Sequence, residues 1–209
     1  MRFIKHTIQL FLMMVVVVWL ASPAQAMIVS QLHIEKIKIA LDLGGDEIEA
    51  ESEQGGTIIM GAFQPPSPAI MDDFTGDGHT FSLFTQPGPG GVPAPSATVD
   101  VGQKRITVDL RSLFAEVTGS LIPNGSAFIN IGPQLDNITG TYNPNNGDFR
   151  ISWVHLFDPN QAFLNGIAGE IDGQALLGNP VPLPASVLLF GTGLAGIVGI
   201  FRKKEVMRS

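Results

Sequence analysis

From Gln31 to Leu43 the chain reads QLHIEKIKIALDL, and its apolar residues fall on alternate positions in two phases. Leu32 and Ile34 occupy one phase; Ile37, Ile39, Leu41 and Leu43 occupy the other. Successive side chains of a strand point to opposite faces, so a long strand keeps all six on one face only if it carries a bulge near Glu35 and Lys36. The same alternation returns at Val99/Val101 and Ile106/Val108/Leu110, bracketing the polar GQKR and predicting a hairpin. A further hairpin is predicted in NITGTYNPNNGDFRISWVHLF. A two-residue turn at Asn146-Gly147 sets Tyr142 opposite Ile151 and Gly140 opposite Trp153, where the missing side chain leaves room for the indole. On that register Ile138, Tyr142, Phe149, Ile151 and Trp153 share the core face, with Phe128, Ile131 and Phe157 nearby.

Between these runs lie GAFQPPSPAIMDDFTGDGH and QPGPGGVPAPS, whose proline and glycine oppose both helix and central strand. They are expected to be loops. HTFSLF reads as a strand entered from the Asp/Gly turn, and no convincing amphipathic helix appears. The expected fold class is therefore all-β, a single β-sandwich or jelly-roll-like domain over residues 27–178.

The two ends break this pattern. Arg2 and Lys5 precede an uncharged stretch from Thr7 to Leu20 and then ASPAQA, in which Ala24 and Ala26 frame a small-residue cleavage site. Residues 1–26 have the layout of a secretory signal peptide, with cleavage by signal peptidase expected before Met27. Residues 179–209 form the other end. Ser186 to Phe201 is 16 residues without charge, which as a helix covers about 24 Å of a ~30 Å hydrocarbon core. Pro182 and Pro184 limit where that transmembrane helix can begin, and Arg202, Lys203 and Lys204 follow it as a cytoplasmic stop. The expected topology is body outside, tail inside.

Taken together, Val181-Pro182-Leu183-Pro184-Ala185, the glycine-containing apolar run and the basic cluster resemble the PEP-CTERM sorting signal in its VPLPA-type variant. The resemblance covers about thirty residues and also requires the signal peptide. It implies that an exosortase, a membrane-embedded cysteine protease, recognises residues 181–185, cuts near the prolines and passes the body to the cell surface or medium. The inner membrane is then a transient anchor, and the cleaving nucleophile belongs to the exosortase. The setting it implies is a Gram-negative bacterium that makes exopolysaccharide, with a structural or adhesive role for the body.

Composition sharpens this picture. No cysteine is present, so a secreted body must be held by packing and sheet hydrogen bonds or by an ion. The body carries six basic residues against 18 acidic ones, a net charge of −12, which opposes binding to nucleic acid through charge. Asp73, Thr75 and Asp77 occupy the first, third and fifth places of a calcium-loop pattern, but Phe84 stands where the bidentate glutamate belongs. Calcium is thus the one cofactor the sequence suggests, through a partial loop only; an Asp/Gly turn is the other reading. Glu47, Glu49, Glu51 and Glu53 alternate in GGDEIEAESEQGG and are expected to form a solvated, mobile acidic loop. His33, His79 and His155 fit no metal-ligand spacing, no nucleophile elbow or phosphate loop appears, and a carboxylate pair for glycoside hydrolysis could be assembled in principle from Glu116, Glu170 and Asp172, as any acidic sandwich permits. No catalytic residue is expected. A glycan- or calcium-dependent binding module is the alternative reading of the body, and a secreted hydrolase the more remote one.

Overall fold

The computed structural model describes residues 26–66, 69–88, 90–133, 137–157 and 164–178. Twelve strands and one short 3-10 turn make up these residues, and none of their helices is long and apolar enough to cross a membrane. The signal-peptide core, residues 181–185, the apolar run 186–201 and the basic cluster 202–204 lie outside the described residues.

One strand organises the fold. β1 (Ala26–Asp42) is 17 residues long and pairs antiparallel with β12 (Gly166–Leu177) from Val29 to Asp42. Its other edge is divided among three strands. Ala26 to Ile28 meet β6 (Ser96–Asp100), Gln31 to Ile34 meet β3 (Gly56–Ile59), and Ile37 to Asp42 meet β2 (Glu47–Ser52). The ladder shifts register between Ile34 and Lys36, where the alternation of the sequence changes phase, so Leu32, Ile34, Ile37, Ile39 and Leu41 are all fully buried. A second shift falls between Val29 and Gln31.

The remaining strands close this sheet on itself. β6 pairs with β7 (Arg105–Asp109), β7 with β10 (Ile138–Tyr142), β10 with β11 (Asp148–Leu156) and β11 with β12, which returns to β1. The result is a barrel-like antiparallel sheet. A second sheet runs in the order β4 (Phe74–Gly76), β5 (His79–Thr85), β8 (Leu113–Thr118), β9 (Ser126–Asn130). One apolar core joins the two: Phe81, Leu83 and Val117 of the smaller sheet pack with Ile39, Val108 and Ile151 of the larger. The Trp153 indole N–H donates to the Ile131 carbonyl at 2.7 Å, fastening β11 to the segment after β9. The body is therefore all-β, as the alternation predicts.

Three expectations are corrected in detail. The β10–β11 hairpin pairs Tyr142 with Phe149, not Ile151. Its connection spans residues 143–147 and not two residues: the Asn143 side chain accepts from Asn145 N–H, the Asn146 side chain accepts from Asp148 N–H, and Gly147 alone takes φ 83°. The register moves by an even step, so the faces survive: Ile138, Tyr142, Phe149, Ile151 and Trp153 are all buried. The space for the indole comes from Gly169 on β12, which faces Trp153 and whose hypothetical Cβ would stand 2.1 Å from the ring. Phe128 is not in the core. On β9 the inward positions are Ala127 and Ile129, so Phe128 points outward, 64 % exposed, against the edge of Phe84 in a satellite aromatic group with Phe114. Finally, the breaker-rich segment after β3 holds more order than a loop: Ile70 and Met71 are buried, Thr57 N–H donates to the Ile70 carbonyl, and Phe74 opens β4.

Replacing Gly169 with alanine is expected to lower unfolding free energy by about 3 kcal/mol, because a methyl group has no room beside a fixed indole. Denaturant titration checks this. Adding Trp153→Phe should recover part of the loss, and strictly additive effects would contradict the steric account.

Candidate functional site

The outer face of the β2-β1-β12-β11 quarter carries most of the body's paired charge. β2 replaces the mobile acidic loop expected from its carboxylates. Ile48 and Ala50 alternate with Glu47, Glu49 and Glu51, so the segment buries its apolar side against the core and turns its acids outward. Repulsion among those acids is relieved by lysines on the next strand. Lys36 binds Glu51 and lies 3.8 Å from Glu53, and Lys38 binds Glu49 at 3.0 Å. On the far side of β1, Arg150 of β11 bridges Glu170 and Asp172 of β12. Acid, base, acid and base thus alternate across four strands, mostly as diagonal cross-strand pairs.

This arrangement moves the charged groups in the expected directions. The hydrogen bond that Lys36 donates to Glu51 raises Lys36, the one that Lys38 donates to Glu49 raises Lys38, and Lys36 in turn holds the Glu51 carboxyl below the usual glutamate range. Arg150 is raised first by Glu170 and then by Asp172. The pairs are solvent-exposed, so they fix side chains and register more than they stabilise.

Beside the ladder runs a shallow trough of about 510 Å³. Ala40 and Ala168, directly paired across β1 and β12, form part of its lining. Glu47 and Glu49 line it from β2, and Ser152 and Val154 from β11. Val154 and Leu156 are 72 % and 75 % exposed.

The calcium-loop residues serve other ends. Asp77 sits at φ 48° in the β4–β5 turn, and its carboxylate accepts from Glu49 N–H at 2.8 Å, satisfying a donor on β2. Asp73 accepts from the Ser82 hydroxyl, and Thr75 is an exposed residue of β4 paired with Thr80. Among the described residues no group of three or more His, Asp and Glu is poised to hold a metal ion. His79 is buried, its Nδ1–H donating to the Asp77 carbonyl at 2.8 Å and its Nε2 accepting from Leu121 N–H at 3.3 Å. His33 lies against Thr57, and His155 stacks edge-on with Phe157.

The carboxylates considered for hydrolysis are not gathered. Glu116 stands on β8 of the smaller sheet with the Ser126 hydroxyl, while Glu170 and Asp172 are held by Arg150 on the larger. A pair not evident from the sequence is the buried Asp109 with the half-buried Arg111, joined by two side-chain contacts of 3.0 and 2.7 Å and by Arg111 N–H. Its spacing of two residues at a strand end is the signal that could have revealed it. The side-chain hydrogen bonds of Arg111 hold Asp109 below the usual aspartate range.

At the expected signal-peptide boundary, Ala26 is the first residue of β1 and faces Asp100, and Met27 faces Val99. At the other end β12 stops at Leu177, and Gly178 N–H donates to the Ile28 carbonyl at 2.9 Å. The division between the two units of the chain falls between Gly178 and Asn179. The family model of the PEP-CTERM protein-sorting motif matches residues 180–203, beginning two residues beyond that bond. The chain carries a PEP-CTERM sorting tail, and the match spans the Val181–Ala185 stretch, the apolar run and Arg202 and Lys203. No curated protein and no solved structure matches the chain.

Two substitutions test these assignments. Asp77→Ala is expected to cost about 1 kcal/mol by removing the partner of Glu49 N–H, equally with and without calcium. A thermal midpoint of the native chain that rises with calcium would instead mark Asp73, Thr75 and Asp77 as ligands. Asp109→Asn is expected to cost about 1.5–3 kcal/mol at pH 7. The native carboxylate has a lowered value, so its contribution is present above about pH 4 and is lost as pH falls further. The difference between native and variant stability should therefore shrink below about pH 4, as followed by denaturant unfolding.

Proposed function

We propose that this chain is an exported bacterial surface protein, freed from its signal peptide by signal peptidase before Met27 and processed at its tail by an exosortase. The observation that carries the reading is the sorting motif at 180–203, placed directly behind the last strand of an independently paired β body. The tail implies a membrane-anchored precursor and an extracellular or cell-surface product. Within it, Val181 to Ala185 would be the stretch the exosortase reads. Two prolines disfavour helix there, which would suit entry into a protease groove.

The body, a sandwich-like pairing of a barrel-like sheet with a smaller one, would act as a structural or adhesive component among exopolysaccharide. Its acidity keeps it apart from anionic polymers, whereas the carboxylates and Ser152 along the outer trough offer acceptors to neutral sugar hydroxyls. We assign the chain no reaction of its own: Glu116 is held apart from Glu170 and Asp172, and both nitrogens of His79 are committed to backbone groups.

Changing both Pro182 and Pro184 to alanine in a host that makes an exosortase should leave full-length protein in the inner membrane. Mass spectrometry of the native surface form should show a C-terminus near the prolines. Surface protein still ending in Ser209, or unchanged maturation of the double variant, would overturn the sorting reading.

A further inference from the structure

Both ends of the body leave from one pole, and that pole has a distinct surface. Ala26 faces Asp100 at the tip of the β6–β7 hairpin, and Gly178 is bonded to Ile28, so the first and last described residues lie on neighbouring strands. The register shift between Val29 and Gln31 turns Ile28 outward while Val29 and Leu32 stay buried. Ile28 is 54 % exposed. One step along, Leu176, Gln31 and Ile59 form a row across β12, β1 and β3, with Leu176 47 % and Ile59 40 % exposed. Val101, 39 % exposed, projects from the hairpin turn beside Ala26. Lys104 and Arg105 close that turn, and neither has an ion-pair partner among the described residues.

The opposite pole differs in charge. There β1 ends at Asp42 opposite Glu47, with Asp46 in the connecting turn. The body's acidic strand is thus at the end remote from the chain exit, and two of its six basic residues sit at the exit itself. Exposed apolar side chains beside two cations, with Asp100 opposite Arg105 as the acidic group at that hairpin tip, are a composition that can partition into the headgroup region of an anionic bilayer. Chain length agrees. Seven residues, 179–185, separate Gly178 from the apolar run, a fully extended reach of at most about 25 Å.

We infer that this pole, built on Ile28, Ile59, Val101 and Leu176 with Lys104 and Arg105, docks on the interfacial layer of the bilayer while the tail anchors the precursor. The inference rests on the sorting-tail reading. Docking orients the body with its acidic end outward and holds residues 181–185 at the membrane surface, where a membrane-embedded protease must meet them. Once the tail is cut, the remaining contact is too small to retain the body, and it is released from the bilayer.

The test uses the tail-bearing protein made in a host without exosortase, in vesicles of phosphatidylethanolamine and phosphatidylglycerol carrying a nitroxide headgroup label. The chain has no cysteine, so Val101→Cys and, at the far pole, Val154→Cys each accept one fluorophore. Quenching at position 101 should exceed that at 154 several-fold. It should persist when a flexible linker of about twenty residues is inserted after Gly178, which relaxes the tether. It should fall to the level of 154 when Ile28 and Leu176 are both changed to serine, with thermal unfolding confirming that the exposed substitutions leave the fold intact. Equal quenching at both positions, or loss of the difference on linker insertion alone, would overturn the docking surface. A chain that fails to float with the vesicles would remove membrane anchoring and the docking with it, whereas a floating chain without the difference removes the docking alone.

Discussion

The pairing of β1 with β12 is the interaction on which the rest depends. β12 has β11 on its other edge, so it is a central strand; β1 spends its free edge on β6, β3 and β2 in turn. A flat strand could not serve three partners that diverge from one another. The two register shifts supply the bend, and the strong local twist they bring lets the sheet curl until β6, β7, β10 and β11 complete the circuit. Closure leaves fewer open edges, which matters for a cysteine-free domain with no helical layer among its described residues to cover them. What edge remains on β2 is partly capped by Asp77 from the smaller sheet.

The cross-strand ladder explains how a body of net charge −12 keeps four parallel rows of charge on one face. Glutamates on β2 would repel if the strand stood alone, which is why their spacing in the sequence suggests a solvated loop. In the fold, each acid row is flanked by a basic row one strand away, so the repulsive neighbours along a strand are offset by attractive neighbours across it. The pairs are exposed and individually weak. Their greater effect is on register: sliding β1 against β2 by two residues keeps the apolar face inward and leaves only the charge pattern and the turn to resist it.

That distinction marks what could be read from the residues. Faces were legible, because burial obeys a period of two: the phase slip at Glu35 and Lys36 pointed to a bulge, and the five core residues of the β10–β11 hairpin were identified on the correct side. Register was not legible, because an even shift leaves every face unchanged and depends on side-chain caps such as those of Asn143 and Asn146. Partners distant in sequence were hidden for a similar reason. Gly140 and Gly169 look equally able to make room for Trp153, and only the β11–β12 ladder selects Gly169. Phe128 lies outside the core because Ala127 and Ile129 take the inward phase of β9. The tail stood out in the sequence for the opposite reason: its signal is local and ordered, and it needs no partner from the rest of the chain.

The fold also fixes where the sorting tail begins. β12 is paired on both edges nearly to its end, and the Gly178–Ile28 bond closes the last gap. Drawing the chain further out would have to break the Val29 to Leu177 pairing and then successive rungs of the central ladder, each costing buried contacts as well as hydrogen bonds. Two residues later the sorting motif starts. The cooperative sheet thus ends at Gly178, just before the residues that the sorting motif matches. The same central strand that holds the barrel-like sheet together thereby ends where the sorting tail begins.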